Sequence, residues 1–167
     1  MKISLRRMRE KDLETVRDIY NHYILHSTAV YYTQPIRTEE LRTFLPLGHP
    51  KYHSYLIEAP DEEVLGFCYY APFKPKDAFR ISVELTLYLR PGLTGQGIGY
   101  QVMLLVEPVI RDMGFFNIIA LISGDNEPSI RMFEKCGYER CACIRQVAEK
   151  FGKKLDLVMY QKLLPTH

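Results

Sequence analysis

Apolar residues along the chain follow two rhythms, one of period two and one near period 3.6, and the switches between them mark the elements. Residues 3–6 give a short first strand. Asp12 then precedes Leu13, Val16, Ile19, Tyr20, Tyr23 and Ile24, which share one face of a helix that the aspartate can cap. Residues 27–34 are aromatic and irregular, and Thr38 opens a second short helix reaching residue 47, ahead of Gly48-His49-Pro50. Strand-like runs at 52–59 and 64–70 flank Pro60-Asp61-Glu62-Glu63, which reads as a hairpin, and a longer strand covers 79–89. Over 97–113 the period lengthens again, with Ile98, Val102, Leu105, Val106, Val109, Ile110 and Met113 in one stripe. Pro108 interrupts that helix and removes a backbone bond, at about 3 kcal/mol unless the helix kinks. A strand over 117–122, a helix over 126–136 closed by Gly137, and strands over 138–146 and 155–162 complete the pattern.

The order βαα-βββ-αβ-αββ predicts an α/β (α+β) fold, a mixed and mostly antiparallel sheet of about seven strands with helices on both faces. The length of 167 residues fits one domain, and no repeat, low-complexity tract or linker divides it, so residues 1–167 are expected to form a single unit.

Charge and cysteine usage narrow the function classes. A net charge of +2, with basic residues spread along the chain, gives no stripe for nucleic acid. The charged start MKISLRRMREKD lacks the apolar centre of a signal peptide, and no run approaches the ~18 apolar residues of a membrane span. Cys68, Cys136, Cys141 and Cys143 make no paired C-x-x-C set, and His22, His26, His49 and His53 have no metal-ligand grouping, so no metal is expected. Cys141 and Cys143 share a face of their strand and read as small apolar residues in a reducing cytoplasm.

The candidate chemistry begins where the 79–89 strand ends. Gly95, Gly97 and Gly99 alternate just before the long helix. Such glycines let the backbone approach a bulky anion, and the helix N-terminus adds partial positive charge, which together suit a pyrophosphate. The loop has no Gly-Lys-Ser/Thr ending and no G-x-G-x-x-G spacing, which disfavours a P-loop and a dinucleotide fingerprint. A glycine-rich turn without a ligand is the competing reading. Glu84 lies mid-strand in VELTLYL, where an acid is unfavourable unless it has a task. Partial burial would lift it toward the range of a general base, and an edge acid facing solvent is the alternative.

The loop TGQGIG followed by a helix, and ISGDNEPSIRMFEKCGY about 30 residues later, resemble the two signatures of the GNAT superfamily of acyl-CoA-dependent N-acetyltransferases. NHYI, APFKPKDAF, VELTLYL, NEPSIRM and EKFGKKLD further resemble the phosphinothricin acetyltransferase-like subfamily over nearly the whole chain. The resemblance implies acetyl-CoA as co-substrate, a small amine as acceptor (amino-acid analogues of the phosphinothricin, methionine sulfone or methionine sulfoximine type) and a homodimer. It implies Glu84 as the base, acting directly or through a water. Leu87, Tyr88 and Leu89 would meet the acetyl-pantetheine arm through their backbone, one amide polarising the thioester carbonyl. Thr94, Gly95, Gln96, Gly97, Ile98, Gly99 and Tyr100 would hold the pyrophosphate, with Thr94 standing where the superfamily usually has Arg or Gln. Asn126 would contact pantetheine, with Ser129 beside it, a role compatible with capping the helix before Pro128.

Lys74, Lys76, Asp77, Ala78, Phe79 and Arg80 would shape the acceptor pocket, a cation there holding the acceptor's carboxylate, although each cation also reads as a solvated loop residue. Tyr31, Tyr32 and Phe73 are further candidates for its lining. Phe133 occupies the position of a frequent proton-donating tyrosine, so no general acid is assigned, and Lys154 stands where the subfamily often has tryptophan. A peptide acetyltransferase of the same fold and a non-catalytic acyl-CoA-binding module remain as rival functions.

Overall fold

A computed structural model describes residues 1–165. Seven strands form one sheet in the order β1-β2-β3-β4-β5-β7-β6: β1 Ser4–Arg7, β2 Ser54–Glu58, β3 Val64–Pro72, β4 Ser82–Leu89, β5 Asn117–Ser123, β6 Glu139–Lys150 and β7 Lys153–Leu163. β4 and β5 run parallel, and the other neighbouring strands pair antiparallel. The helices are α1 Leu13–His26, α2 Thr38–Leu41, α3 Ile98–Asp112 and α4 Glu127–Lys135. The fold class read from the pattern is the one observed.

Strand alternation sends side chains to two cores. Leu56, Phe67 and Tyr69 face α1 and α2, packing against Leu13, Val16, Ile19, Ile24 and Leu41. Tyr55, Ile57, Cys68 and Tyr70 face the other way, into a larger core with Val102, Val106 and Ile110 of α3 and Phe133 of α4. Gly66 is required where β3 crosses the end of β4, because a Cβ there would lie 2.2 Å from the Tyr88 carbonyl oxygen. Arg90 then ties that end down, its Nε donating to the Val64 carbonyl at 2.6 Å.

Several boundaries differ from the sequence expectation for physical reasons. Asp12 does not cap α1 with its side chain; its carboxylate accepts from the Arg9 amide and is bidentate with Arg6, an internal ion pair that outcompetes the helix end. The second helix stops at Leu41, because the Thr43 and Phe44 amides bond back three residues in turns. On α3, Leu105 and Met113 lie toward solvent and Met103 takes the buried place. The helix runs through Pro108, which lies on the exposed side with Leu104, so water can reach the carbonyl that Pro108 leaves without a donor. β6 is longer than expected and sits at the sheet edge, so Cys141 and Cys143 are exposed rather than packed as small apolar residues.

Candidate active site

The one parallel pairing opens the site. β4 and β5 pair through Ser82–Asn117, Val83–Ile118 and Glu84–Ile119, and beyond Glu84 the register stops. Residues 85–89 and 120–123 therefore diverge, and a cleft of about 830 Å³ lies between them. That is the size of a pocket for a small-molecule ligand. On the fork side, β4 presents backbone groups that the sheet does not pair, and a linear ligand with amide groups fits such an opening.

One wall of the cleft is the glycine loop. Gly95 and Gly97 have φ of +78° and +79°, a conformation L side chains rarely adopt, and no atom lies within 4 Å of where their Cβ would be. Gly97 caps α3, whose free amides face the same space. Gly99 has a different duty: a Cβ there would sit 3.3 Å from Cγ of Met132, so it lets α3 and α4 approach. Thr94, Gly95, Gly97, Ile98, Gly99 and Tyr100 line the cleft, whereas Gln96 turns away and donates from its side-chain amide to the Gly92 carbonyl at 3.1 Å. Leu87, Tyr88, Leu89, Asn126 and Ser129 also line it. Asn126 caps α4, with Oδ1 accepting from the Ser129 amide at 3.4 Å.

Glu84 lines the cleft at the vertex of the fork and is half-buried. Burial raises its pKa above the ordinary carboxylate value, and the charge of Lys74 pulls it part of the way back. Tyr20, Tyr69 and Tyr88 surround this end of the cleft, their hydroxyls pushed up mainly by burial so that they stay protonated. Tyr23 donates its hydroxyl to the Leu89 carbonyl, and Phe133 lines the cleft without a polar atom to offer.

The 74–80 segment is not brought into the cleft wall. Residues 77–81 form an exposed 3-10 turn in which Phe79 packs on Phe73 and Arg80 donates to the Asp77 carbonyl at 3.2 Å. Lys76, Asp77, Ala78, Phe79 and Arg80 therefore stand outside the cleft, and Lys74 acts on Glu84 through its charge alone. Tyr31 and Tyr32 line the cleft and Phe73 does not. The sequence reading missed Arg131 and Lys135, one helical turn apart on the cleft side of α4, where they can meet phosphate charge. It also missed Tyr20, Tyr23 and Tyr69, whose aromatic character in the strand and helix pattern signals core packing rather than a pocket.

The acetyltransferase (GNAT) family matches residues 16–138, from α1 through the glycine loop and α4 to the residue before β6. The chain belongs to the GNAT acetyltransferase family. Among its GNAT relatives, a phosphinothricin N-acetyltransferase of Streptomyces coelicolor is 32% identical over 159 residues, covering 93% of this chain and 92% of the relative. An L-methionine sulfoximine/L-methionine sulfone acetyltransferase of Salmonella typhimurium is 29% identical, covering 93% and 91%. The crystal structure of a GNAT phosphinothricin acetyltransferase from Sinorhizobium meliloti in complex with acetyl-CoA superposes with a TM-score of 0.88 at 28% identity, covering 98% of this chain and 89% of that one. This GNAT chain is accordingly an acetyltransferase with acetyl-CoA as its acyl donor. No group of three or more His, Cys, Asp or Glu able to hold a metal ion occurs among the described residues, and no described helix is long and apolar enough to cross a membrane.

Proposed function

We propose that the enzyme moves the acetyl group of acetyl-CoA onto the amino group of a small amino acid or amino-acid analogue, with Glu84 as the base. The observation that carries this reading is the position of Glu84, half-buried at the vertex where β4 and β5 part. Pantetheine lying along the fork would bring its thioester to that vertex, with the pyrophosphate on the Gly95–Gly97 turn and the α3 N-terminus. The amine attacks the thioester carbon, a C–N bond forms and the C–S bond breaks. Glu84 takes the amine proton directly or through one water, and CoA leaves as its thiolate or is protonated from solvent. Departure as thiolate is feasible because an ordinary thiol has a pKa of about 8.5. Tyr20, Tyr31, Tyr32 and Tyr69 would enclose the acceptor side chain, which suits a small substrate rather than a peptide. In this reading Lys74 attracts the acceptor's carboxylate.

Thiol release from acetyl-CoA across methionine sulfone, methionine sulfoximine, phosphinothricin, common amino acids and a histone-like peptide tests the assignment. Preference for the free amino-acid analogues is expected, and efficient peptide turnover would overturn it. Equal turnover of methionine sulfone and its carboxamide would remove the carboxylate role of Lys74.

The same reading takes the enzyme as a homodimer of the cytoplasm. Ile144, Val147 and Phe151 are 45%, 50% and 59% exposed on the edge hairpin, and a second copy would cover them. The exposed free thiols of Cys141 and Cys143 suit a reducing compartment.

A further inference from the structure

Lys150, the last residue of β6, has 4% of its surface exposed, and among the described residues no carboxylate pairs with it. Its Nζ donates to two main-chain carbonyls instead, those of Ser27 and Val30, each at 2.7 Å. Burial lowers its pKa, the mark of an ammonium held away from water. A buried cation without a counter-charge is costly, so what it holds in place matters.

It holds the irregular segment that follows α1. Ser27, Ala29, Val30, Tyr31 and Tyr32 all line the cleft, and this stretch has no strand or helix of its own. Other polar contacts fix its far side. Thr28 donates to Asp125 at 2.8 Å, and the Tyr31 hydroxyl lies 2.6 Å from the Asp156 carbonyl and 2.9 Å from the Ser123 hydroxyl. Tyr32 packs edge-on to Tyr20, with centroids 6.1 Å apart, beside the end of the cleft where Glu84 stands. The glycine loop and α4, which would hold the nucleotide end of acetyl-CoA, make no hydrogen bond to Lys150.

We propose that Lys150 is a positioning residue for the acceptor pocket: by tying the Ser27 and Val30 carbonyls together it sets the wall that carries Tyr31 and Tyr32, and through that wall it sets acceptor affinity. This rests on the acetyl-transfer reading above for the identity of the pocket. The effect falls on one substrate and not the other, which separates it from a general contribution to folding.

The test is K150M, which keeps the chain length and removes the donors, with K150R as the variant that keeps them. The acceptor is whichever amine of the panel the wild type turns over best. A best acceptor that is not an amino acid would refute the substrate reading, while the comparison below would still judge Lys150. K150M is expected to raise acceptor KM by about tenfold or more while kcat and acetyl-CoA affinity stay within about threefold. Amide hydrogen exchange across residues 27–32 should quicken while that of β3 and β5 does not. K150R should recover most of the lost acceptor affinity, since its guanidinium can donate to both carbonyls. Unchanged acceptor KM in K150M would overturn the proposal. Equal losses toward acetyl-CoA and acceptor, an unfolded K150M, or a folded K150R that recovers nothing would also overturn it, leaving Lys150 as a plain structural staple.

Discussion

Glu84 meets two requirements that seldom coincide in a strand, enough burial to lift a carboxylate and enough access for a substrate to reach it. Glu84→Gln keeps the shape and removes the proposed base, so kcat/KM should fall by about 10²–10⁴-fold in steady-state assays with acetyl-CoA affinity nearly unchanged. Activity should rise with pH, because the base works deprotonated, and the rise should be centred above the ~4.3 of an ordinary glutamate. Lys74→Met deletes the charge that lowers this pKa, so the rising limb should move to higher pH. Acceptors of different amine pKa separate that limb from titration of the amine itself. Glu84 was legible as a candidate because an acid inside an apolar strand is locally anomalous, and Asn126 through the NEPSIRM signature and as a helix cap ahead of Pro128. Lys150 was not, since a lysine at the end of a hairpin strand reads as solvated until α1 and the following segment are seen to cover it.

At the scale of elements, the glycine loop was legible as a whole while its division of labour was not. Gly97 is held at positive φ at the mouth of α3, so Gly97→Val should strain the turn, crowd the pyrophosphate and weaken acetyl-CoA binding by more than about tenfold in calorimetry. Gly99 has ordinary φ and a flexible neighbour in Met132, so Gly99→Ala should keep affinity within about threefold. Alternation alone made the two look equivalent. The course of the 74–80 segment was not legible. Its cations sit close in sequence to Glu84, yet the 3-10 turn and the Phe73–Phe79 contact carry Lys76 and Arg80 away from the cleft. Local pattern does not encode which way a turn points.

For the whole molecule, strand count, helix placement and the mixed sheet followed from periodicity, because each face has to bury one set of alternating side chains. The order of the last two strands did not: β7 inserts between β5 and β6, which leaves β6 at the edge with its apolar residues uncovered. If a second copy covers them, Val147→Asp should shift the mass in sedimentation from twice the 19.5 kDa of one chain to a single chain, with the fold retained by circular dichroism.

The short parallel pairing has a mechanical meaning as well. β1 to β4 and β5 to β7 are two blocks of sheet sewn together by three residue pairs, with the seam open from Glu84 outward. A donor molecule threaded into that opening is the missing stitching. By mass action, acetyl-CoA at 100 times its Kd adds about 2.7 kcal/mol to the native state, whichever contacts supply the affinity. The seam decides where that gain is felt. At matched occupancy, a fragment of the coenzyme that carries the diphosphate but lacks pantetheine should raise the melting temperature as much as the whole molecule does. It should leave the seam-facing amides of residues 85–89 and 120–123, those not bonded to β3 or β7, exchanging as fast as in the free enzyme, because only the pantetheine arm closes the seam.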